Sequence, residues 1–490
     1  MVRDPLLLHD FLDLAAERTP GRPAVLGPGE VWTYRDLWEA SHAFARWLTG
    51  RGVGRGDRVV TLLPNHVVMA AVLFGSSRAG AAFTPLAHEM KPFQLRGVLA
   101  AADPAVVIAP GALPDGLTAT RRTVTLDVLR RELERSAASP VPGAAEPGDT
   151  ALLLHTSGST AVPKAVICPH ERVVFAARAV ATRLGYTGAD RIFVRLPLSF
   201  DYGLYQLLLA CQASASVYLC ADGTVNLARE LRDSGATVVP VVPLLADMIN
   251  DLADRRPFPS RVRLFTNTGA ALGPAAAAQL RRNFPGAAVV PMFGLTECKR
   301  VSVGEPDEDL VRPGSVGRAL PGTSITIHDQ HDEPLPAGQV GQIVVHGPHV
   351  MAGYRDAPEL SRLRFRADTL YTGDFGRLDE QGNLYFHGRR DDIVKRRGVR
   401  LSTVEVEAAA EDVPGVRSAV AVFSADDESL CVAVTGDVTP DEVHAGLEAR
   451  LEPGKRPDRC VVLDRMPTNG TGKTDRAAVA QTIGARRGDS

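Results

Sequence analysis

The sequence predicts an α/β fold: a large N-terminal domain of layered α/β subdomains over residues 1–390, then a small mobile C-terminal α+β domain over 391–490. Three observations predict it. Short apolar strings alternate with amphipathic helical stretches, the pattern of sheets covered by helices. The chain has 490 residues, 45% hydrophobic and 23% charged, enough to bury more than one core at an ordinary globular composition. After Phe386-His-Gly-Arg-Arg-Asp-Asp392 the pattern shortens to a few strands and helices, and a hinge is placed there.

Along the chain, Arg58–Leu63 reads as a strand feeding a helix over Val67–Gly75, and Ala236–Pro240 as a strand feeding a helix over Leu244–Leu252. The Pro/Gly/Ala-rich stretches Gly111–Gly116 and Ala137–Pro147 read as loops, the second of them ending an N-terminal subdomain. Ala151–Leu154 and Ala165–Cys168 are apolar strands on either side of a polar turn. No internal repeat is apparent.

A net charge of −2 and a pI near 6.6 leave no basic footprint, which argues against nucleic acid or an anionic membrane surface as partner. The six cysteines are scattered in apolar strings with no CxxC pair, and read as reduced core residues. The N-terminus carries too short an apolar run for a signal peptide, and no segment approaches membrane-spanning length. The expectation is a cytoplasmic protein.

The polar turn His155-Thr-Ser-Gly-Ser-Thr-Ala-Val-Pro-Lys-Ala165 gathers hydroxyls, a glycine and a lysine between two strands. Such a loop binds phosphate through backbone N–H groups and the hydroxyls of Thr156, Ser157, Ser159 and Thr160. Gly158 lets the backbone approach, and Lys164 is a cation able to follow the charge of a nucleotide tail. A plain surface loop is the competing reading. Gly472-Lys-Thr474 superficially ends a Walker A loop, but Pro467 stands where GxxxxGK[ST] needs glycine.

The turn resembles the TSGSTGxPKG signature of the adenylate-forming superfamily, which includes acyl-CoA synthetases, luciferases and the adenylation domains of nonribosomal peptide synthetases. Ala161 and Ala165 stand where that family usually has glycine. Further segments resemble family motifs in the family's order. Phe293-Gly-Leu-Thr-Glu297 is similar to YGxTE, which implies Thr296 on the α-phosphate and Glu297 on Mg²⁺; on the residues alone it could equally start a helix. Tyr371-Thr-Gly-Asp374 is similar to YxTGD, which implies Asp374 on the ribose hydroxyls of ATP, although a tight turn would look the same. Gly388–Lys395 resembles GRxDxxxK, implying Arg389 on the ribose and Asp391 as hinge; by itself it is a charge run. Pro467–Thr474 resembles the motif bearing the catalytic lysine, here Lys473. Gly347–Tyr354 and Arg78–Leu86 resemble structural segments.

The resemblance implies attack of a carboxylate on the α-phosphate of ATP, giving an acyl-adenylate and pyrophosphate, then transfer to a thiol. Two anions must meet. Charge neutralisation and positioning therefore outweigh acid–base chemistry, with Lys473, Lys164 and Mg²⁺ on Glu297 supplying the positive charge.

Leu196-Pro-Leu-Ser-Phe-Asp201 separates subfamilies. Asp201 resembles the aspartate with which amino-acid adenylation domains pair the substrate ammonium, and a carboxylate in an apolar pocket needs such a cation. Its alternative is a helix cap. Tyr202, Tyr205, Thr268 and Gly269 join it as expected substrate-pocket residues, and Lys299 and Arg300 could hold a second substrate carboxylate, Arg300 as a bidentate fork. The other reading has the two cations facing solvent or supporting Glu297 and the phosphates. Asp201 with this cation pair looks like stand-alone enzymes that load β-amino acids, some aspartate-like, in macrolactam antibiotic pathways.

Lys395–Leu401 resembles the adenylation-domain form more than the CoA-ligase form, implying a carrier-protein phosphopantetheine thiol as acceptor. No carrier attachment sequence is visible, so the carrier is expected to be a separate protein, to which Arg396, Arg397 and Arg400 could offer a basic face; a merely solvated basic patch is the equal alternative. The alternatives are an acyl-CoA ligase for an aliphatic or aromatic acid, and an adenylate-binding protein without catalysis.

Overall fold

The computed structural model describes every residue except 1–3, 91, 114–121, 137–138, 142, 157–163, 221–226, 390–392, 397–398, 425–428, 452, 470–473 and 486–490. Three larger β-sheets organise it, in the expected α/β class. In the first, of 14 strands, Ser216–Leu219, Arg191–Val194, Val238–Val241, Leu264–Asn267 and Ala288–Phe293 run parallel, with Arg191–Val194 between the first and third of them. These strands are buried Val/Ile/Leu/Phe runs, as strands covered on both faces must be. The sheet continues as an antiparallel extension through Ser302–Val303, Ser315–Ala319, Asn383–Arg389, Thr369–Leu378, Gly341–His346 and Ser324–His328.

The second sheet, of six strands, is parallel through Arg58–Thr61, Ala82–Pro85 and Val106–Ala109, and ends in the antiparallel hairpin Thr150–Thr156 with Lys164–Pro169. The strands expected on either side of the polar loop are therefore present and paired, the loop residues 157–163 lying outside the described residues. Helix Val67–Ala79 is buried along its whole length, since it lies between elements of the main core rather than over one face. Gly75 permits this: a Cβ there would sit 2.6 Å from the Ser41 carbonyl oxygen. The third sheet pairs Val416–Ser424, Ser429–Gly436 and Arg459–Val462 and carries two apolar clusters of its own. All six cysteines are buried and free. No helix among the described residues is long and apolar enough to cross a membrane.

Five largely buried histidines give the fold a calculable response to acid. Burial, helped by Arg78 at His9 and His42 and by Arg355 at His155, brings His9, His42, His155, His170 and His349 down to about 4. The unfolded chain binds these protons near pH 6.5, so between about 6.5 and 4 it holds more protons than the native state. Stability is therefore complete above pH 6.5 and lost as pH falls toward 4, at roughly 1.4 kcal/mol per pH unit for each group that takes up its proton only on unfolding. Thermal melts should show Tm falling steeply between pH 6.5 and 5; a flat Tm over that interval would mean that these rings are already charged in the native state.

Candidate active site

Two adjacent parallel strands deliver the site from their carboxyl ends, where open α/β sheets place their ligands. Leu264–Asn267 runs into Thr268 and Gly269, and Ala288–Phe293 into Gly294–Arg300. Thr296 and Glu297 lie in a turn, not at the start of a helix. Glu297 accepts a hydrogen bond from the Tyr354 hydroxyl at 2.6 Å through Oε1, and its backbone carbonyl accepts from Met351 N at 2.8 Å. Among the described residues its second carboxylate oxygen makes no hydrogen bond, and an unshared oxygen of this kind suits a hard cation such as Mg²⁺.

Tyr354 was not singled out by sequence reasoning. Its segment read as structural, yet Tyr354 bridges to Val166 and Arg355 N donates to the Ala165 carbonyl at 2.8 Å. The segment thus ties Glu297 to the strand leaving the polar loop. No local signal marked Tyr354, since the φ of +115° at the preceding Gly353 is itself a property of the fold.

The carboxylate of Asp374 is almost fully buried and lies 3.4 Å from Arg389 Nε. The strand register places the two residues directly opposite each other, so pairing of Thr369–Leu378 with Asn383–Arg389 assembles this pair. Such a carboxylate suits a diol that donates two hydrogen bonds. Lys164 opens the return strand of the hairpin, and Thr156 closes the entry strand. Ser157, Gly158, Ser159, Thr160, Asp391 and Lys473 lie outside the described residues.

The acid-side residues converge. Asp201 is the first residue of helix Asp201–Ala213, whose N-cap position is Phe200, and no side chain caps the helix. The capping alternative is thereby removed: the carboxylate, 7% exposed, faces the pocket with the helix N-terminus behind it. Lys299 Nζ lies 4.0 Å from Asp201 Oδ2, donates to the Thr296 carbonyl at 2.9 Å and sits 5.6 Å from the centre of the Tyr205 ring. Arg300 stacks over Tyr202 at 4.7 Å and donates to the Lys299 carbonyl at 2.6 Å. Both cations are buried, at 1% and 7% exposure, so neither faces solvent.

Lys299 occupies the left-handed region with φ +66°, a costly conformation for a long side chain that the surrounding packing imposes. Tyr202 donates to Thr266, while the Tyr205 hydroxyl, Thr268 Oγ1 and Arg300 Nε are buried without a hydrogen-bond partner among the described residues. Buried polar atoms of that kind are costly unless a ligand or water meets them. The space left between these side chains is about 10 Å³, on the order of one water. A substrate side chain would therefore enter by exchanging with existing contacts.

One expectation is corrected. Arg396 is 3% exposed, donates to the Arg456 carbonyl at 2.6 Å and pairs with Asp458. It turns inward to the segment that leads into strand Arg459–Val462 and offers no basic face to a partner, because a guanidinium at that depth needs fixed acceptors. Arg397 lies outside the described residues.

The model of the family described as AMP-binding enzyme matches residues 12–355. The chain belongs to the AMP-binding enzyme family. Among curated relatives, this family member is 28% identical over 497 residues to a plipastatin synthase of Bacillus subtilis (strain 168), covering 98% of this chain but 14% of that protein. It is 31% identical over 437 residues to a sulfoacetate–CoA ligase of Cupriavidus necator, covering 85% of this chain and 84% of that one. Among solved structures, VinN superposes with a TM-score of 0.74 at 44% identity, over 79% of this chain and 100% of that one. VinN in complex with L-aspartate gives 0.73 at 44% identity, over 78% of this chain and 98% of that one. ATP-bound MatB from Rhodopseudomonas palustris, 24% identical with a TM-score of 0.86 over 98% of this chain and 99% of that one, shares the fold.

Proposed function

We propose that the protein activates an amino acid bearing a second carboxylate, of the aspartate or β-amino type, as its acyl-adenylate at the expense of ATP. The product then passes to the phosphopantetheine thiol of a separate carrier protein in natural-product biosynthesis. The buried Asp201–Lys299 pair at 4.0 Å carries this reading. Two opposite charges at the floor of one pocket match a zwitterion that offers an ammonium to Asp201 and a carboxylate to Lys299 and Arg300. The similarity to VinN, of which structures with L-aspartate and with 3-methylaspartate exist, points the same way.

Asp374 and Arg389 would hold the ribose, Thr296 would meet the α-phosphate, and Tyr354 would keep Glu297 in one orientation. Mg²⁺ on Glu297 would supply charge neutralisation at the phosphates. Lys473 would approach the reacting carboxylate from a mobile domain over 391–490 that turns about Asp391. The separate sheet and apolar clusters after residue 403 support that division.

Amino-acid-dependent exchange of pyrophosphate into ATP tests the reading, with a panel of L-aspartate, 3-methylaspartate, β-alanine, L-alanine and succinate. Exchange should be strongest with the acidic amino acids and absent with succinate. A signal from succinate or from other des-amino acids, followed by CoA thioester formation, would favour the second reading, a CoA ligase, which the similarity to the sulfoacetate–CoA ligase supports.

A further inference from the structure

Cys168 belongs to the return strand Lys164–Pro169 of the polar-loop hairpin and is fully buried. Its thiol sits at the Lys299 ammonium: Lys299 Nζ donates to Cys168 Sγ at 3.6 Å. The thiol proton has its own acceptor, the Val166 carbonyl 3.5 Å away on the same strand. With the proton turned toward Val166, the sulfur lone pairs are free to face the ammonium. Burial pushes this thiol up from its ordinary range, which keeps the proton in place.

A lysine ammonium has three N–H bonds. Around Lys299 the described acceptors are the Thr296 carbonyl, Cys168 Sγ and Asp201 Oδ2, at 2.9, 3.6 and 4.0 Å, with the Tyr205 ring beside them at 5.6 Å. The first two are neutral and belong to the scaffold; the third is the charge that a zwitterionic substrate would compete for. With the Thr296 carbonyl as its one neutral acceptor, the buried ammonium would be directed by Asp201 and the Tyr205 ring. A second neutral acceptor, on a strand distant in the sequence from the Thr296 turn, gives it a fixed scaffold contact instead.

We propose that Cys168 is a specificity-determining positioning residue, which holds the Lys299 ammonium at the acid pocket by accepting one of its N–H bonds. The inference rests on the reading of Lys299 as the group that meets the substrate's second carboxylate. It also links the two halves of the site, because the strand that carries the thiol is the one that leaves the polar turn.

The test is a pair of variants, Cys168→Ala and Cys168→Ser, assayed by pyrophosphate exchange with L-aspartate and with L-alanine. Cys168→Ala removes the acceptor and should raise KM for L-aspartate by about fivefold to tenfold. KM for ATP and kcat should stay within about twofold, and the preference for L-aspartate over L-alanine should fall in proportion. Cys168→Ser, whose hydroxyl can donate and accept as the thiol does, should restore the L-aspartate KM. Equal impairment in both variants, or an unchanged KM in Cys168→Ala, overturns the inference. If the wild-type protein activates no amino acid, the functional reading fails first. Crystal structures of the two variants then decide the role of Cys168: Lys299 Nζ should leave its place in Cys168→Ala and keep it in Cys168→Ser, and an unmoved Nζ in Cys168→Ala overturns the proposal.

Discussion

Asp201→Asn is expected to lower amino-acid-dependent pyrophosphate exchange by about 10²- to 10³-fold, because removing one partner of a buried ion pair costs on the order of 3–5 kcal/mol. Shape is kept, so packing cannot account for the loss. Lys299, 1% exposed, would lose its charged neighbour and keep the neutral Thr296 carbonyl, Cys168 sulfur and Tyr205 ring. Lys299→Met should be impaired comparably, and each single variant should melt below the wild type. The double variant separates function from stability. Replacing a whole buried ion pair by neutral side chains is often neutral or stabilising, so Asp201→Asn/Lys299→Met should regain much of the lost Tm while remaining inactive. Singles with wild-type Tm and activity, measured by exchange and thermal melting, would remove the pair from the site.

The second large effect is expected at Gly294. A Cβ there would lie 2.3 Å from the Lys299 carbonyl oxygen and 3.1 Å from Arg300 Cα, against backbone that has no rotamer to escape into. Gly294→Ala must therefore displace the turn that carries Thr296, Glu297, Lys299 and Arg300. Overpacking of this kind costs about 1–3 kcal/mol and occasionally more. The protein should melt several degrees lower and lose at least about tenfold in exchange at temperatures where circular dichroism shows it folded. Wild-type exchange in Gly294→Ala would mean that the turn relaxes without consequence for the chemistry.

The candidate nucleotide residues could be named from the sequence because they come in short local strings. Asp374 and Arg389 could be named separately from their motifs, but that they meet follows from strand register, which brings them opposite one another. Tyr354 and Cys168 were not legible. Each acts on a residue far away in the chain, Glu297 and Lys299, and a tyrosine or cysteine in an apolar string carries no mark of what it touches. Arg396 was misread for the same reason: a basic run looks solvated until the fold supplies Asp458 and a carbonyl.

The sequence by itself determined the α/β class, the order of the motifs, the strands around the polar turn and the identities of the charged groups, because periodicity and turn chemistry act over a few residues. Tertiary structure alone decided that Asp201 faces a pocket instead of capping its helix, that Lys299 and Arg300 turn inward, and that Tyr354 meets Glu297 and Cys168 meets Lys299. Those outcomes depend on burial and on contacts between distant strands, whose energies are set by the surroundings of a charge and not by its neighbours in the chain.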